Sequence, residues 1–181
     1  MGEAAMILGV VLAGGQSSRF GSDKALAELH GRTLIARAVD NLSGWCDHVV
    51  IVGRATGPAP CLPDWPRPGM GPLAGLAAAL TYAQDESYRT VLSCAVDSHS
   101  LPANLLELLS PAPAYLEAQP VIGHWLASSA DTARNILLGE GSHSMMAFAD
   151  AAGARSVKTA AKPANINTPA DLAAMEQDNG I

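Results

Sequence analysis

The sequence predicts an α/β sandwich with a mainly parallel central sheet, on three observations. Short apolar runs without alternation recur at residues 6–12 (MILGVVL), 49–52 (VVIV) and 91–96 (VLSCAV), as expected for strands covered on both faces. Helical spacing lies between them: Ile35, Ala38, Val39 and Leu42 follow a Thr33 cap, and Leu73, Leu76 and Leu80 line a second helix. Strands that alternate with helices are joined by right-handed crossovers, which lay helices on both faces of one sheet.

The elements follow in order. Six prolines, Pro58, Pro60, Pro63, Pro66, Pro68 and Pro72, forbid a central strand or a helix interior over residues 58–72 and predict a long, stiffened loop. It ends in GMGPLAG, where Gly71 and Gly75 bracket a proline suited to starting a helix. Beyond residue 110 the pattern weakens to a strand over 119–126, a helix over 130–141 and another over 142–154. The final segment, 165–177, is punctuated sharply, with Thr168 as N-cap, Pro169 at N1 and Asp171 in the first turn.

Composition sets the bounds. With 181 residues, 49% hydrophobic and 15% charged, residues 1–181 are expected to form a single domain with a real core. Eleven Lys and Arg stand against seventeen Asp and Glu, a net charge of -6, which argues against a nucleic-acid partner. Any bound anion must then be held by local cations and backbone N–H groups, with the help of a metal ion. The first fifteen residues lack a basic lead and their apolar run is broken by glycines, so neither a signal peptide nor a membrane span is expected. Cys46, Cys61 and Cys94 form no CxxC pair and read as packing residues of a cytoplasmic chain.

The chemistry concentrates in VLAGGQSSRFGSDKAL, residues 11–26, directly after the first predicted strand. Ligands of open α/β sheets bind at the carboxyl ends of the strands, where the strand order reverses. The spacing fails both GxxxxGK[ST] and GxGxxG. Gly14 and Gly15 nevertheless let backbone N–H groups approach an anion, and Arg19 and Lys24 add fixed charge, as polyphosphate requires. Asp97 closes VLSCAVD at the same sheet edge, as either a magnesium ligand beside phosphate or a cap of the next helix.

LAGGQSSRFGSDKAL resembles the LAGGxSxRxGxDK signature of molybdenum cofactor guanylyltransferases, within the wider nucleotidyltransferase-like α/β family. Residues 64–76 (DWPRPGMGPLAGL), 91–102 (VLSCAVDSHSLP) and 165–172 (NINTPADL) resemble three further motifs in the same order, leaving 103–164 without a match. The resemblance implies a three-layer, Rossmann-like fold of the nucleotide-diphospho-sugar transferase type. It implies transfer of GMP from GTP to the terminal phosphate of molybdopterin, with loss of pyrophosphate. Residues Leu12, Ala13, Gly14, Gly15, Lys24, Asp64, Gly71, Pro72 and Asp97 would then contact the nucleotide. Arg19, Lys24 and Asp97 would be catalytic, with Mg2+ on Asp97. Asn165 and Asn167 would meet the pterin, or else cap the last helix.

By the same resemblance, residues to about 102 would bind nucleotide and the remainder the acceptor, with cofactor-inserting or acceptor proteins as further partners. Relatives that use CTP carry LAAG, so Gly14 favours guanine; a cytidylyltransferase and a non-catalytic nucleotide-binding adaptor are the rival readings. Two departures stand out. His99 follows Ser98 where relatives have proline, and Gly53 and Arg54 replace a common asparagine. His30, His48, His124 and His143 show no metal spacing, although His143 sits where relatives tend to be basic.

Overall fold

In the computed structural model, residues 4–15, 23–160 and 164–178 are described. The strands are β1 (Ile7–Leu12), β2 (Glu28–Leu29), β3 (Arg32–Thr33), β4 (His48–Val52), β5 (Cys61–Leu62), β6 (Thr90–Ala95), β7 (Ser98–His99), β8 (Ala114–Leu116), β9 (Gln119–Leu126), β10 (Arg155–Val157) and β11 (Ala164–Asn165). The helices are α1 (Leu34–Ser43), α2 (Pro72–Asp85), α3 (Leu105–Leu108), α4 (Ala130–Leu138), α5 (Met145–Ala151) and α6 (Pro169–Asp178).

Seven strands form one sheet in the order β10-β8-β9-β6-β1-β4-β5. β1 pairs in parallel with both β4 and β6, and β9 runs antiparallel to its neighbours β6 and β8. The chain moves outward from β1 to β4 and β5, then returns through α2 to β6 on the other side of β1. The reversal between β1 and β6 opens a crevice at their carboxyl ends, which is where the loops of this fold class receive ligands.

The predicted three-layer sandwich is what the structure shows. Leu8, Val10 and Leu12 of β1 face α2, with Val50 and Val52 of β4 beside them. Val11, Val49, Ile51, Leu92 and Cys94 face α1 and α3. Covering both faces explains why these strands lack alternation. Thr33 caps α1 as expected, its Oγ1 accepting from the Ala36 N–H at 3.3 Å.

The weakly patterned half is a mixed-sheet extension over an aromatic core. Trp125 and Phe148 are fully buried, with ring centroids 5.0 Å apart, and the Trp125 indole donates to Ser93 Oγ at 2.9 Å. His124 is buried on the opposite face. Its Nδ1 lies 3.2 Å from the Leu109 carbonyl oxygen, and its Nε2 2.8 Å from Thr90 Oγ1. A carbonyl only accepts, so Nδ1 carries the proton. Desolvation holds the imidazole pKa below its ordinary value.

The proline-rich loop departs slightly from expectation, because Cys61 and Leu62 form a two-residue edge strand beside β4. That is compatible with proline, since Pro60 needs only its carbonyl to accept from the Ile51 N–H at 2.8 Å. The thiols behave as packing groups: burial pushes Cys46 and Cys94 up to about 12. No helix among the described residues is long and apolar enough to cross a membrane.

Candidate active site

The end of β1 separates two cavities. The first, about 340 Å3, is lined by Leu12, Gly14 and Gly15 after β1, Val52 of β4, Asp64 and Gly69 of the proline-rich loop, and Gly71, Pro72 and Gly75 at the start of α2. Gly71 caps α2 without a side chain, so the positive end of this fourteen-residue helix opens on the cavity. Gly53 backs the lining residue Gly14. Its φ is +96°, and a Cβ there would sit 2.4 Å from the Gly14 backbone, so only glycine permits the approach.

The Asp64 carboxylate projects between two glycines, where a Cβ on Gly14 or Gly75 would come within 3.6 and 3.5 Å of it. Burial raises its pKa above the ordinary carboxylate value, although a backbone hydrogen bond opposes the shift. Leu12, Gly14, Gly15, Asp64, Gly71 and Pro72 thus meet in one place. Ala13 does not, because it packs against the core on the α1 side while its N–H donates to the Val52 carbonyl at 2.9 Å.

At the edge of the second cavity, Lys24 Nζ and Asp97 Oδ2 form an ion pair of 3.1 Å, with the side chains 16% and 22% exposed. Asp97 does not cap a helix: α3 begins at Leu105 with Asn104 as its N-cap. The residue preceding Lys24 is also tied down. Asp23 Oδ1 accepts from the Ala25 N–H at 3.2 Å, and Arg54 Nη1 lies 2.8 Å from Asp23 Oδ2. Arg19 lies outside the described residues.

The second cavity, about 440 Å3, is a groove on the α1 side, walled by Arg37, Asn41 and Trp45 on one flank and by Asp97, Ser98, Ser100 and Ile166 on the other. β7 and β11 stitch the C-terminal motif to it, with Asn165 opposite Ser98 and the Ile166 N–H donating to the Asp97 carbonyl at 3.3 Å. Asn165 and Asn167 therefore flank a groove residue. The α6 cap is made by others: Asp171 Oδ2 accepts from the N–H groups of Asn167 (3.0 Å) and Thr168 (2.9 Å), and Thr168 Oγ1 accepts from the Asp171 N–H (3.1 Å). These hydrogen bonds, Asn167 first and with nearby Lys24 adding a little, hold Asp171 below the usual carboxylate range.

Of the histidines, His30 lines the second cavity, while two others turn elsewhere. His143 Nε2 turns to the Gly139 carbonyl at 2.9 Å, and His48 Nδ1 to Tyr88 Oη at 2.7 Å. Among the described residues no trio of His, Cys, Asp or Glu gathers to cage a metal ion. The carboxylate paired with Lys24 at the crevice is that of Asp97. That suits magnesium, which takes one or two carboxylates and fills its remaining positions with phosphate oxygens and water.

The MobA-like NTP transferase domain matches residues 9–159. A molybdenum cofactor guanylyltransferase of Acidiphilium cryptum is 37% identical over 92% of both chains, and one of Rhodobacter capsulatus is 34% identical over 94% of this chain and 95% of that one. The chain belongs to the MobA-like NTP transferase family. Its fold is shared with the molybdopterin-guanine dinucleotide biosynthesis protein A of Archaeoglobus fulgidus, with a TM-score of 0.73 at 21% identity over 96% of this chain. It is shared too with a 2-C-methyl-D-erythritol 4-phosphate cytidylyltransferase of Thermus thermophilus, with a TM-score of 0.61 at 17% identity. This family member is therefore a nucleotidyltransferase.

Three residues at or near the two cavities are not among the predicted site residues. Arg37 and Trp45 belong to no motif, and their approach to Asp97 depends on how α1 and the turn after it lie against the 96–101 segment. Trp65 was unremarked beside Asp64, yet Arg134 of α4 stacks over its ring at 4.9 Å and anchors the proline-rich loop. Only Arg54 carried a signal, as a departure from the family pattern.

Proposed function

We propose that the chain transfers GMP from GTP to the terminal phosphate of molybdopterin and releases pyrophosphate. The observation that carries this reading is the Lys24–Asp97 pair at the carboxyl edge of the β1/β6 crevice, beside a glycine-walled cavity. The nucleoside lies in that cavity, where Gly14 and Gly15 allow close backbone approach and Asp64 accepts from ring or exocyclic N–H groups of guanine. Lys24 and Arg19 neutralise the triphosphate.

The acceptor lies in the groove on the other side of β1, with Asn165 and Asn167 toward the pterin. Residues to about 102 thus serve mainly the nucleotide and the rest mainly the acceptor, with α1 lending one groove wall. An oxygen of the acceptor phosphate attacks the α-phosphorus in line, the bond to the β-phosphate bridging oxygen breaks, and pyrophosphate leaves with that electron pair. A phosphate monoester is largely dianionic near pH 7, so the nucleophile needs no protein base. Positioning and charge neutralisation supply the catalysis. Asp97, with phosphate oxygens, would hold Mg2+, which supplies Lewis-acid neutralisation of the charge developing on phosphate oxygens.

We place the protein in the cytoplasm, in line with its three free cysteines, and expect proteins that insert or receive the cofactor to be its partners. Pyrophosphate release from GTP, CTP and ATP, with magnesium and molybdopterin, tests the reading for the native chain and Asp97→Ala. Release with GTP alone, lost in the variant, is expected. Release with CTP alone would make the chain a cytidylyltransferase, and GTP binding without release would make it an adaptor.

A further inference from the structure

Two consecutive residues, Asp23 and Lys24, are bound by opposite ion pairs to the two strands that flank β1. Lys24 reaches Asp97 after β6 at 3.1 Å, and Asp23 reaches Arg54 after β4. A single Arg54 nitrogen, Nη1, sits 2.9 Å from Asp23 Oδ1 and 2.8 Å from Oδ2. The same Asp23 carboxylate accepts the Ala25 N–H and so fixes the 3-10 turn Lys24–Leu26 that carries Lys24.

This arrangement is not explained by stability. Asp23 is 44% exposed, and ion pairs at that exposure stabilise little. Arg54 also carries a cost, because its Nε is buried with no hydrogen-bond partner among the described residues. The adjoining Gly53 lies close against the Gly14 backbone. A guanidinium is long enough to span from the end of β4 to Asp23.

We propose that Arg54 is a positioning residue for triphosphate binding: it holds Asp23, and through Asp23 the turn that aims Lys24. This rests on the reading that the loop after β1 binds a nucleoside triphosphate. When a triphosphate draws Lys24 away from Asp97, the Asp23–Arg54 pair is the tie that keeps the turn in register over β1. The clamp predicts a defect in nucleotide affinity rather than in the acceptor or in the chemical step.

The test is titration of each variant with a fluorescent GTP analogue, followed by steady-state kinetics. Arg54→Ala should weaken nucleotide binding and raise the KM for GTP by about tenfold, the scale of one charge-assisted contact. The kcat and the KM for molybdopterin should stay within about threefold, a change too small for loss of a transition-state contact. Arg54→Lys should recover part of the affinity. Asp23→Asn should match Arg54→Ala, and the double variant should be no worse than either, as for two halves of one device. Losses that multiply in the double variant, unchanged affinity in Arg54→Ala, or a fall in kcat at constant KM would each overturn the clamp. Native chain that binds GTP without transferring it overturns the proposed activity and leaves the clamp standing, whereas native chain that binds no GTP overturns both.

Discussion

The two cavities beside β1 are of similar size but opposite make. On the α2 side the walls are mostly glycine and apolar side chains, with one carboxylate, Asp64, pushed toward its neutral form by burial. On the α1 side the walls carry hydroxyls, an amide, a guanidinium, an imidazole, an indole and the Asp97 carboxylate. Bare backbone suits a ligand that must come close, while varied side chains suit one identified by its functional groups. On the proposed reading, the difference separates nucleotide from acceptor, with the Lys24–Asp97 pair between them.

The largest effect should come from breaking that junction. Asp97→Asn should cut turnover by about 100-fold or more, the scale of losing one charge-stabilising group. In EDTA, however, the same variant should bind GTP several-fold more tightly, because Lys24 loses its competing carboxylate and the triphosphate loses a repulsive charge. Fluorescent-GTP titration without metal separates these effects. Weaker metal-free binding in the variant would show that Asp97 does not oppose the nucleotide.

The α2-side cavity is tested next through Asp64. Asp64→Asn should weaken GTP binding by about tenfold and leave the acceptor KM alone. Its pH dependence has a definite sign. The folded-state pKa is raised above 3.8, so the stability linked to the protonated carboxyl is complete below 3.8 and is lost as pH rises through the higher folded value. Affinity runs the other way, since the carboxylate accepts from guanine N–H groups more strongly than the protonated carboxyl does, and it should fall on acidification earlier than for an ordinary aspartate. The asparagine variant should lose both trends in isothermal titration and thermal unfolding run between pH 4 and 7, about the range in which such shifts act.

A smaller effect should mark the groove. Asn41 is exposed on α1, so Asn41→Glu keeps a helix-compatible residue while adding negative charge to the groove wall. The acceptor KM should rise about three- to tenfold and fall back with salt, with GTP affinity unchanged. Asn41→Gln should behave as native. A charge-independent loss in both variants would remove the groove from acceptor binding.

The two cavities were not equally legible in the sequence. β1, β4 and β6 were readable because burial on both faces leaves continuous apolar runs, and the glycine cavity was readable because its residues lie in compact motifs at strand ends. Arg37, Asn41 and Trp45 could not be assigned to a groove, since only the packing of α1 against the 96–101 segment brings them to Asp97. β8 and β10, of three residues each, are too short to show a period, and the antiparallel placement of β9 depends on partners far along the chain. Asp97 illustrates the remaining gap: its spacing allowed a helix cap or a metal ligand, and the start of α3 at Leu105 with Asn104 as N-cap removes the cap.

The smallest effect should come from His124, which belongs to neither cavity and so sharpens the comparison as a control. Its imidazole is buried between Thr90 and the Leu109 carbonyl, and desolvation lowers its pKa below 6.5. In the unfolded chain it takes a proton near 6.5, while in the native state it resists. The stability this contributes is complete above 6.5 and is lost as pH falls from there through the lower native value, at up to about 1.4 kcal/mol per pH unit. His124→Gln cannot titrate, so its thermal midpoint should fall less than that of the native chain between pH 7.5 and 5.5, about one unit either side of the ordinary histidine pKa. GTP and acceptor affinities at pH 7.5 should be those of the native chain. Equal acid sensitivity in both proteins would mean that His124 takes up its proton in the fold as readily as in the unfolded chain, which would require the Leu109 carbonyl to offset burial.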